Sequence, residues 1–457
     1  MSPLQELPQD RALPHLARAL DVHAMAEVFA DELRAHGGQL ESCSIERVKY
    51  RPNRNCTLSY LLRLRHGPAG PVLEQRVAAR LCSGGDSVRR IARASAAPLH
   101  PSLAGPALRL LPALDMLTWW WPNDAKLGAP HVLADTATLR ERVLPELVAI
   151  LSDGRGSFVD HRMEIVQYVP EQRLTARVDL CWQAGGSRFE QRVYAKAGHE
   201  PEGGTAHDIL RTLQASPAWQ AGWLRTPRAL LWQAPLGLRW QQGLPGRALL
   251  DLPAAEAARM VTPLGAQLAA LHSTSVAAAA GDLTRANLCR RLLQVAEVLG
   301  DALPASRSAL RRAVEHLTDG LRWLDGAALV TLHGDLHPRN VLVDGDQLAL
   351  IDLDDVHRGP ALLELGAWMA EGMYRATLVG AAPTRDQSAW QALLEGYVGA
   401  GGTRPAPQAL AWACAWNLLS QRAWRCVVNL KPGRFAIAPR LIALAEAIAR
   451  QQSLEGL

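Results

Sequence analysis

The feature that most constrains this chain is an internal repeat. Residues 48–64 read VKYRPNRNCTLSYLLRL and residues 166–182 read VQYVPEQRLTARVDLCW. Tyr50 and Tyr168, Pro52 and Pro170, and Thr57 and Thr175 align at an offset of 118. Further on, Glu74-Gln75-Arg76-Val77 matches Glu190-Gln191-Arg192-Val193 at an offset of 116. Each copy reads as a strand, a proline-marked turn, a second strand, a glycine-containing loop and a third strand. Two β units in tandem are therefore expected.

A helical stretch is expected near 136–152, another at about 204–214, and an apolar strand over 229–240. The Trp119-Trp120-Trp121 run reads as an apolar strand, and Gly243-Leu244-Pro245-Gly246 as a turn. From 251 onward the period changes to that of helices, over 254–272, 285–325, 361–380, 387–399, 406–428 and 436–452. Between them, 327–352 holds two short apolar runs with a hairpin turn at Asp344-Gly345. A β-rich first half and a helix-rich second half give an α+β fold in two lobes.

Composition narrows the class. At 457 residues the chain has room for two or three packed units, and 48% hydrophobic with 20% charged residues is the balance of a globular protein. No apolar run reaches the roughly 20 residues of a membrane span. Met1 to Pro14 lacks the basic start and apolar core of a signal peptide, so a cytoplasmic protein is expected. The net charge of +5 is spread out, which argues against a nucleic-acid platform. The seven cysteines are scattered without a C-x-x-C pair and read as buried free thiols. Oligomeric state is not legible.

The chemistry concentrates in residues 329–355, LVTLHGDLHPRNVLVDGDQLALIDLDD. Asp335 follows an apolar run and a glycine, and Asn340 comes five residues later. The apolar strand Val341-Leu342-Val343, the hairpin and the strand Leu348-Ala349-Leu350-Ile351 then deliver Asp352, so the hairpin brings the Asn340 and Asp352 ends together. Two oxygen ligands at a hairpin mouth suit a hard cation such as Mg²⁺ that shares its shell with phosphates. Asp335 is placed to accept a proton from a substrate hydroxyl.

This pattern resembles the aminoglycoside phosphotransferase and choline kinase superfamily, relatives of the protein kinases, whose signature is H-G-D-x-x-x-x-N, a hairpin, then I-D. Here it reads His333-Gly334-Asp335-Leu336-His337-Pro338-Arg339-Asn340 and Ile351-Asp352. The resemblance implies a protein-kinase-like bilobal fold, with a small antiparallel β lobe and a larger helical lobe. It implies Asp335 as catalytic base, Asn340 and Asp352 as magnesium ligands, and His333 as a buttress of the loop. Leu264 to His272 looks like the family's helix after the hinge, and Gly243 opens the turn beside the nucleotide. Glu364 stands where the family often carries an aspartate that braces the catalytic loop.

Phosphoryl transfer also needs a cation on the nucleotide's phosphates. Lysine is scarce here (Lys49, Lys126, Lys196 and Lys431), and Lys196 ends a run resembling the family's third strand. The alignment of the repeats puts Arg80 at the same place in the first copy, which no H-G-D segment follows. The family's lysine pairs with a glutamate in the next helix; here Asp208 or Glu202 is the candidate. The turn Val169 to Arg173 lacks the glycine that phosphate cradling favours. Arg339, inside the catalytic loop, faces substrate or solvent, and Trp412 and Trp416 read as core at helical spacing.

The division expected is a degenerate small-lobe-like unit at 1–155, a kinase small lobe at 156–248 and a helical catalytic lobe at 249–457. The function implied is ATP- and Mg²⁺-dependent transfer of the γ-phosphoryl group to a hydroxyl of a sugar, amino sugar or amino alcohol. The alternative is a nucleotide-binding pseudokinase of the same fold.

Overall fold

A computed structural model describes residues 7–66, 70–198, 202–276, 282–431 and 433–454. The chain divides by compactness into two units, one of residues 1–204, 230–241 and 428–431, the other of residues 205–229, 242–427 and 432–457.

The first unit contains the repeat. Strands β1 (Gly38–Arg51), β2 (Asn55–His66), β3 (Leu73–Leu81), β4 (Leu108–Leu111) and β5 (Met116–Trp120) form a sheet in the order β1-β2-β3-β5-β4. Strands β6 (Ser157–Val169), β7 (Arg173–Ala184), β8 (Ser187–Ala197), β9 (Ala229–Gln233) and β10 (Leu238–Gln242) form a second in the order β6-β7-β8-β10-β9, the same topology. Register agrees as well: Thr57 lies opposite Arg80, and Thr175 opposite Lys196.

The likeness runs further than the sequence alignment reached. Asp10 accepts hydrogen bonds from the Tyr50 hydroxyl (2.9 Å) and the Asn53 N–H (2.8 Å). Asp124 does the same for the Tyr168 hydroxyl (2.6 Å) and the Glu171 N–H (3.0 Å). Asn53 and Glu171 are the residues that take a left-handed conformation at the proline-marked turns, with φ of 59° and 64°. A carboxylate from the preceding segment therefore locks each turn. Asp21 and Asp135, each eleven residues after those aspartates, cap helices in the two copies.

One expectation is corrected. Residues 229–240 are not one strand but a hairpin, broken at Ala234–Leu236 with Gly237 at φ 57°. Pro235 supplies no ladder N–H and Gly237 accepts the turn, so the apolar run reverses there. In the first copy the equivalent turn is Pro112–Leu114 with Asp115 at φ 48°. Leu117 and Trp119 of the first sheet share one apolar core with Tyr168, Leu174, Leu238 and Trp240 of the second copy. Phe29 adds edge contacts to Tyr60 and Trp120 at 5.0 and 5.9 Å, each worth about 0.5–1.5 kcal/mol beyond burial.

The second unit is mainly helical, so the α+β class read from the sequence is the class observed. Strands β11 (Arg247–Ala248), β13 (Val341–Asp344) and β14 (Gln347–Leu350) form a small sheet, and β12 (Leu329–Leu332) pairs with β15 (His357–Pro360). The expected helix over 285–325 is two, Arg285–Ala302 and Arg307–Asp319, divided near Pro304. The expected helix over 406–428 widens into a π turn at Leu418–Ala423 between Pro407–Asn417 and Trp424–Val428. The helices Val261–Ser273 and Gln387–Gly399 approach backbone to backbone at Gly265 and Gly396. A Cβ on Gly265 would lie 2.1 Å from the Leu393 carbonyl oxygen, and one on Gly396 1.9 Å from that of Thr262. This close crossing sets His272 beside Tyr397.

All seven cysteines are free, and five are buried. Among the described residues no helix is long and apolar enough to cross a membrane.

Candidate active site

β12 delivers His333-Gly334-Asp335 at its C-terminal end, and a buried carboxylate holds the delivery point. Glu364 accepts hydrogen bonds from the His333 and Gly334 N–H groups, each at 3.0 Å, and contacts His272 Nε2 at 3.0 Å. His272 Nδ1 lies 2.9 Å from the Tyr397 hydroxyl. Burial pushes the Glu364 carboxyl up, but its bond to His272 and the loop N–H groups outweigh that and leave it below its ordinary value. It is thus an ionised brace, anchored through the Gly265–Gly396 crossing.

Gly334 has no substitute at its position. It sits at φ 84°, and a Cβ there would lie 1.9 Å from the Asp355 carbonyl oxygen and 2.8 Å from His357. The turn Leu353–Asp355 after Asp352 thus packs directly on the loop glycine.

Four further bonds hold the loop, two of them to Ile351 just past the end of β14. His333 Nδ1 accepts from the Asp335 N–H (3.4 Å), which leaves Nε2 to donate to the Ile351 carbonyl (2.9 Å). Asn340 Nδ2 donates to the Asp335 carbonyl (3.0 Å), and the Ile351 N–H donates to the Asn340 carbonyl (3.0 Å). His333 and Asn340 are buried. Asp352, next along the chain, is left-handed at φ 60°, a strained setting of order 1–3 kcal/mol that persists where surroundings impose it. The structure therefore gathers His333, Asp335, Asn340 and Ile351 into one hydrogen-bonded frame, with Asp352 next along the chain. With Nδ2 committed to the loop, Asn340 keeps its amide oxygen for other partners.

The Asp335 carboxylate has a partner that sequence reasoning missed. Arg425 donates to Oδ1 at 2.8 Å, with 13% of the Asp335 side chain and 31% of the arginine's exposed. Burial pushes the Asp335 pKa up, yet Arg425, with smaller help from neighbouring cations, brings it down to about 2. The stability this pairing contributes is present above the ordinary carboxylate range and is lost as pH falls through about 2. His337 Nε2 lies 3.7 Å from Oδ2, but burial lowers its pKa below 6.5, so it is neutral at pH 7 and Arg425 carries the pairing. Nearby, Arg422 and Arg375 both reach Glu371, at 3.0 and 2.5 Å. Arg291 stacks on Trp424 at 4.2 Å, its pKa lowered by burial and by the charge of Arg425. The π turn at Leu418–Ala423 is what gives Arg422 and Arg425 their present registers. The sequence signal was two arginines inside an otherwise apolar helical run.

Replacing Arg425 by methionine leaves Asp335 buried without its cation. Its pKa then rises by about 1–3 units, and the acid limb of the kcat/KM profile moves to higher pH. The stability cost falls below the roughly 3–5 kcal/mol of a fully buried pair. An unmoved acid limb would contradict the pairing.

Other expected site residues lie as follows. Arg339 is exposed and makes no ion pair among the described residues; the arginine at Asp335 is Arg425. Lys196 is buried on β8. Asp208 is exposed on the helix Glu202–Ala215 and has no ion pair among the described residues; the Glu202 side chain lies outside them. Gly243 is buried in the connection after β10, while Gly246 takes the positive φ, 112°. In the turn Val169 to Arg173, which lacks glycine, Glu171 adopts a left-handed conformation and its N–H is committed to Asp124. Its carboxylate pairs with Arg80 at 2.6 Å and Lys126 at 3.1 Å. Trp412 is core, its indole N–H bonded to the Leu317 carbonyl at 2.9 Å. Among the described residues no group of three or more His, Cys, Asp or Glu side chains is placed to hold a metal ion.

Residues 176–411, just over half the chain, match the model of the phosphotransferase enzyme family, APH. The chain belongs to this family. No curated protein matches it significantly. Among solved structures, the chain is similar to an apo thermostable mutant of the aminoglycoside phosphotransferase APH(4)-Ia, at 17% identity and a TM-score of 0.45, covering 69% of this chain and 100% of that one. It is also similar to a choline/ethanolamine kinase family protein from Mesorhizobium loti (18% identity, TM-score 0.42, 64% and 92% covered). A third is the choline kinase LicA from Streptococcus pneumoniae (13% identity, TM-score 0.43, 66% and 98% covered). The family match takes in most of β7 and all of β8 with Lys196, the H-G-D loop, Asp352 and Glu364; Arg425 lies beyond it.

Proposed function

We propose that the chain is an ATP-dependent small-molecule kinase with its catalytic centre at His333 to Asp352. The observation that carries this reading is the Glu364-braced loop, which holds Asp335, Asn340 and the approach to Asp352 on one backbone frame. Asp335 accepts a hydrogen bond from the acceptor hydroxyl and orients its oxygen toward the γ-phosphorus of ATP. The new bond is oxygen to phosphorus, the bond broken is from that phosphorus to the ADP oxygen, and the hydroxyl proton passes to Asp335 late in the step. A carboxylate with a pKa of about 2 is a weak base, which suits a loose transition state in which positioning dominates.

Asn340 through its amide oxygen and Asp352 through its carboxylate hold Mg²⁺; as a hard cation it supplies charge neutralisation on phosphate oxygens. Lys196 holds the nucleotide's phosphates, and Gly243 lies beside the nucleotide. In this reading residues 156–248 are the small lobe, 249–457 the catalytic lobe and 1–155 a degenerate copy. Arg425, Arg422 and Arg291 put positive charge around Asp335, which favours an acceptor that is neutral or anionic near its reacting hydroxyl. Among sugars, amino sugars and amino alcohols this favours sugars.

The test is a mass-spectrometric screen of such acceptors with ATP and Mg²⁺, with Asp335→Asn as control. Gain of one phosphate on an acceptor, absent in the control, is expected. Tight ATP binding with no transfer to any acceptor would favour a pseudokinase instead.

A further inference from the structure

We infer that the N-terminal repeat carries a second anion site, one that takes a small phosphate-bearing ligand, at the place that corresponds by register to Lys196 and its neighbouring turn. A cavity of about 260 Å³ there is lined by Arg51, Asn53, Arg54, Arg80, Asp86 and Arg90, with Asn55, Cys82 and Ser83 completing it. Four arginines against one aspartate give the lining a formal charge of 4 − 1 = +3.

The arginines differ in what they already hold. Asp86 is shared by Arg89 and Arg90. Arg80 gives one guanidinium nitrogen to Glu171, and its buried Nε has no hydrogen-bond partner. Arg80 lines the cavity beside that pair. Arg51 and Arg54 are exposed and have no ion pair among the described residues. A guanidinium matches phosphate oxygens with two parallel N–H donors, and so a cluster of them selects phosphate by geometry as well as charge.

The walls are fixed before any ligand arrives. Asp10 locks the turn at Asn53, and register places Arg80 opposite Thr57. Asp115 accepts from the Gly85 and Ser87 N–H groups at 2.8 and 3.0 Å, which pins the loop carrying Asp86. A preorganised site loses less binding energy to ordering. Asp115 also occupies the end of the helix Asp86–Ser95, so the arginines and not the helix supply the attraction. No aromatic side chain lines the cavity, which leaves nothing for a nucleobase to stack on and points to a compact ligand, a phosphate or diphosphate group.

The inference does not depend on the phosphoryl-transfer reading, and its test keeps the two apart. Pyrophosphate and orthophosphate are titrated calorimetrically into the full-length Asp352→Ala protein. Pyrophosphate is expected to bind there, more tightly than orthophosphate. Adding Arg51→Glu and Arg54→Glu, both at exposed positions, is expected to weaken binding at least tenfold, with an unchanged circular dichroism spectrum and melting temperature. Arg90→Ala alone is expected to weaken it less. Absence of pyrophosphate binding to Asp352→Ala, or equal binding by the folded charge-reversed protein, would overturn the inference.

Discussion

Asp335→Asn is expected to lower turnover by about 10²–10⁴-fold, the range for loss of a positioned acid or base, while ATP affinity stays within about twofold. The substitution keeps the side-chain shape and an oxygen for Arg425 at 2.8 Å. The loop does not depend on this carboxylate, because Glu364, His333 and Asn340 hold it through backbone groups. What disappears, in the proposed mechanism, is the acceptor for the substrate hydroxyl's proton. Single-turnover transfer with saturating ATP isolates that step. A folded Asp335→Asn protein with wild-type turnover would remove Asp335 from the mechanism.

Gly334→Ala is expected to cost more than about 4 kcal/mol, into the range that marks a named structural failure, and to abolish activity with it. Two terms add. A φ of 84° is unfavourable for alanine, and the new Cβ would lie 1.9 Å from the Asp355 carbonyl oxygen. Neither the loop nor the turn at Leu353–Asp355 has room to yield, since Glu364 fixes one and the αL residue Asp352 begins the other. Gly345→Ala separates the terms. Gly345 also has a positive φ, 60°, but a Cβ there meets nothing within 4 Å. Its expected cost is only about 1 kcal/mol, with activity retained. Chemical denaturation of the two variants measures the difference, and equal costs would contradict the steric argument.

How much was legible in the sequence follows from what kind of information each feature carries. The proposed catalytic loop was legible because its residues are local: His333 to Asp352 lie within one strand–loop–hairpin segment, so spacing fixes their proximity. The brace at Glu364 was legible only through the family resemblance, since its bonds to His333 and Gly334 span about 30 residues. The repeat was legible in its three long strands, where Tyr, Pro and Thr recur, and the inferred equivalence of Arg80 and Lys196 is reproduced by the strand register. Its remainder was not. Asp10 and Asp124 act alike on the two turns, but around them few residues recur at the same spacing, among them Leu13 with Leu127 and Asp21 with Asp135, too few to mark the repeat. The hairpin within 229–240 was masked because apolar residues continue through its turn. Arg425 was hidden for a different reason. Its contact with Asp335 crosses 90 residues and depends on the π turn, which breaks the 3.6-residue period on which the helix reading relied.

The most direct measurement for the account is isothermal titration of ATP with Mg²⁺ into the wild-type protein and into Asp352→Ala. The account predicts magnesium-dependent binding to the wild type that Asp352→Ala loses. ATP binding that is indifferent to magnesium and unchanged in Asp352→Ala, or no binding by the wild type, would contradict a kinase centre at the 333–352 frame.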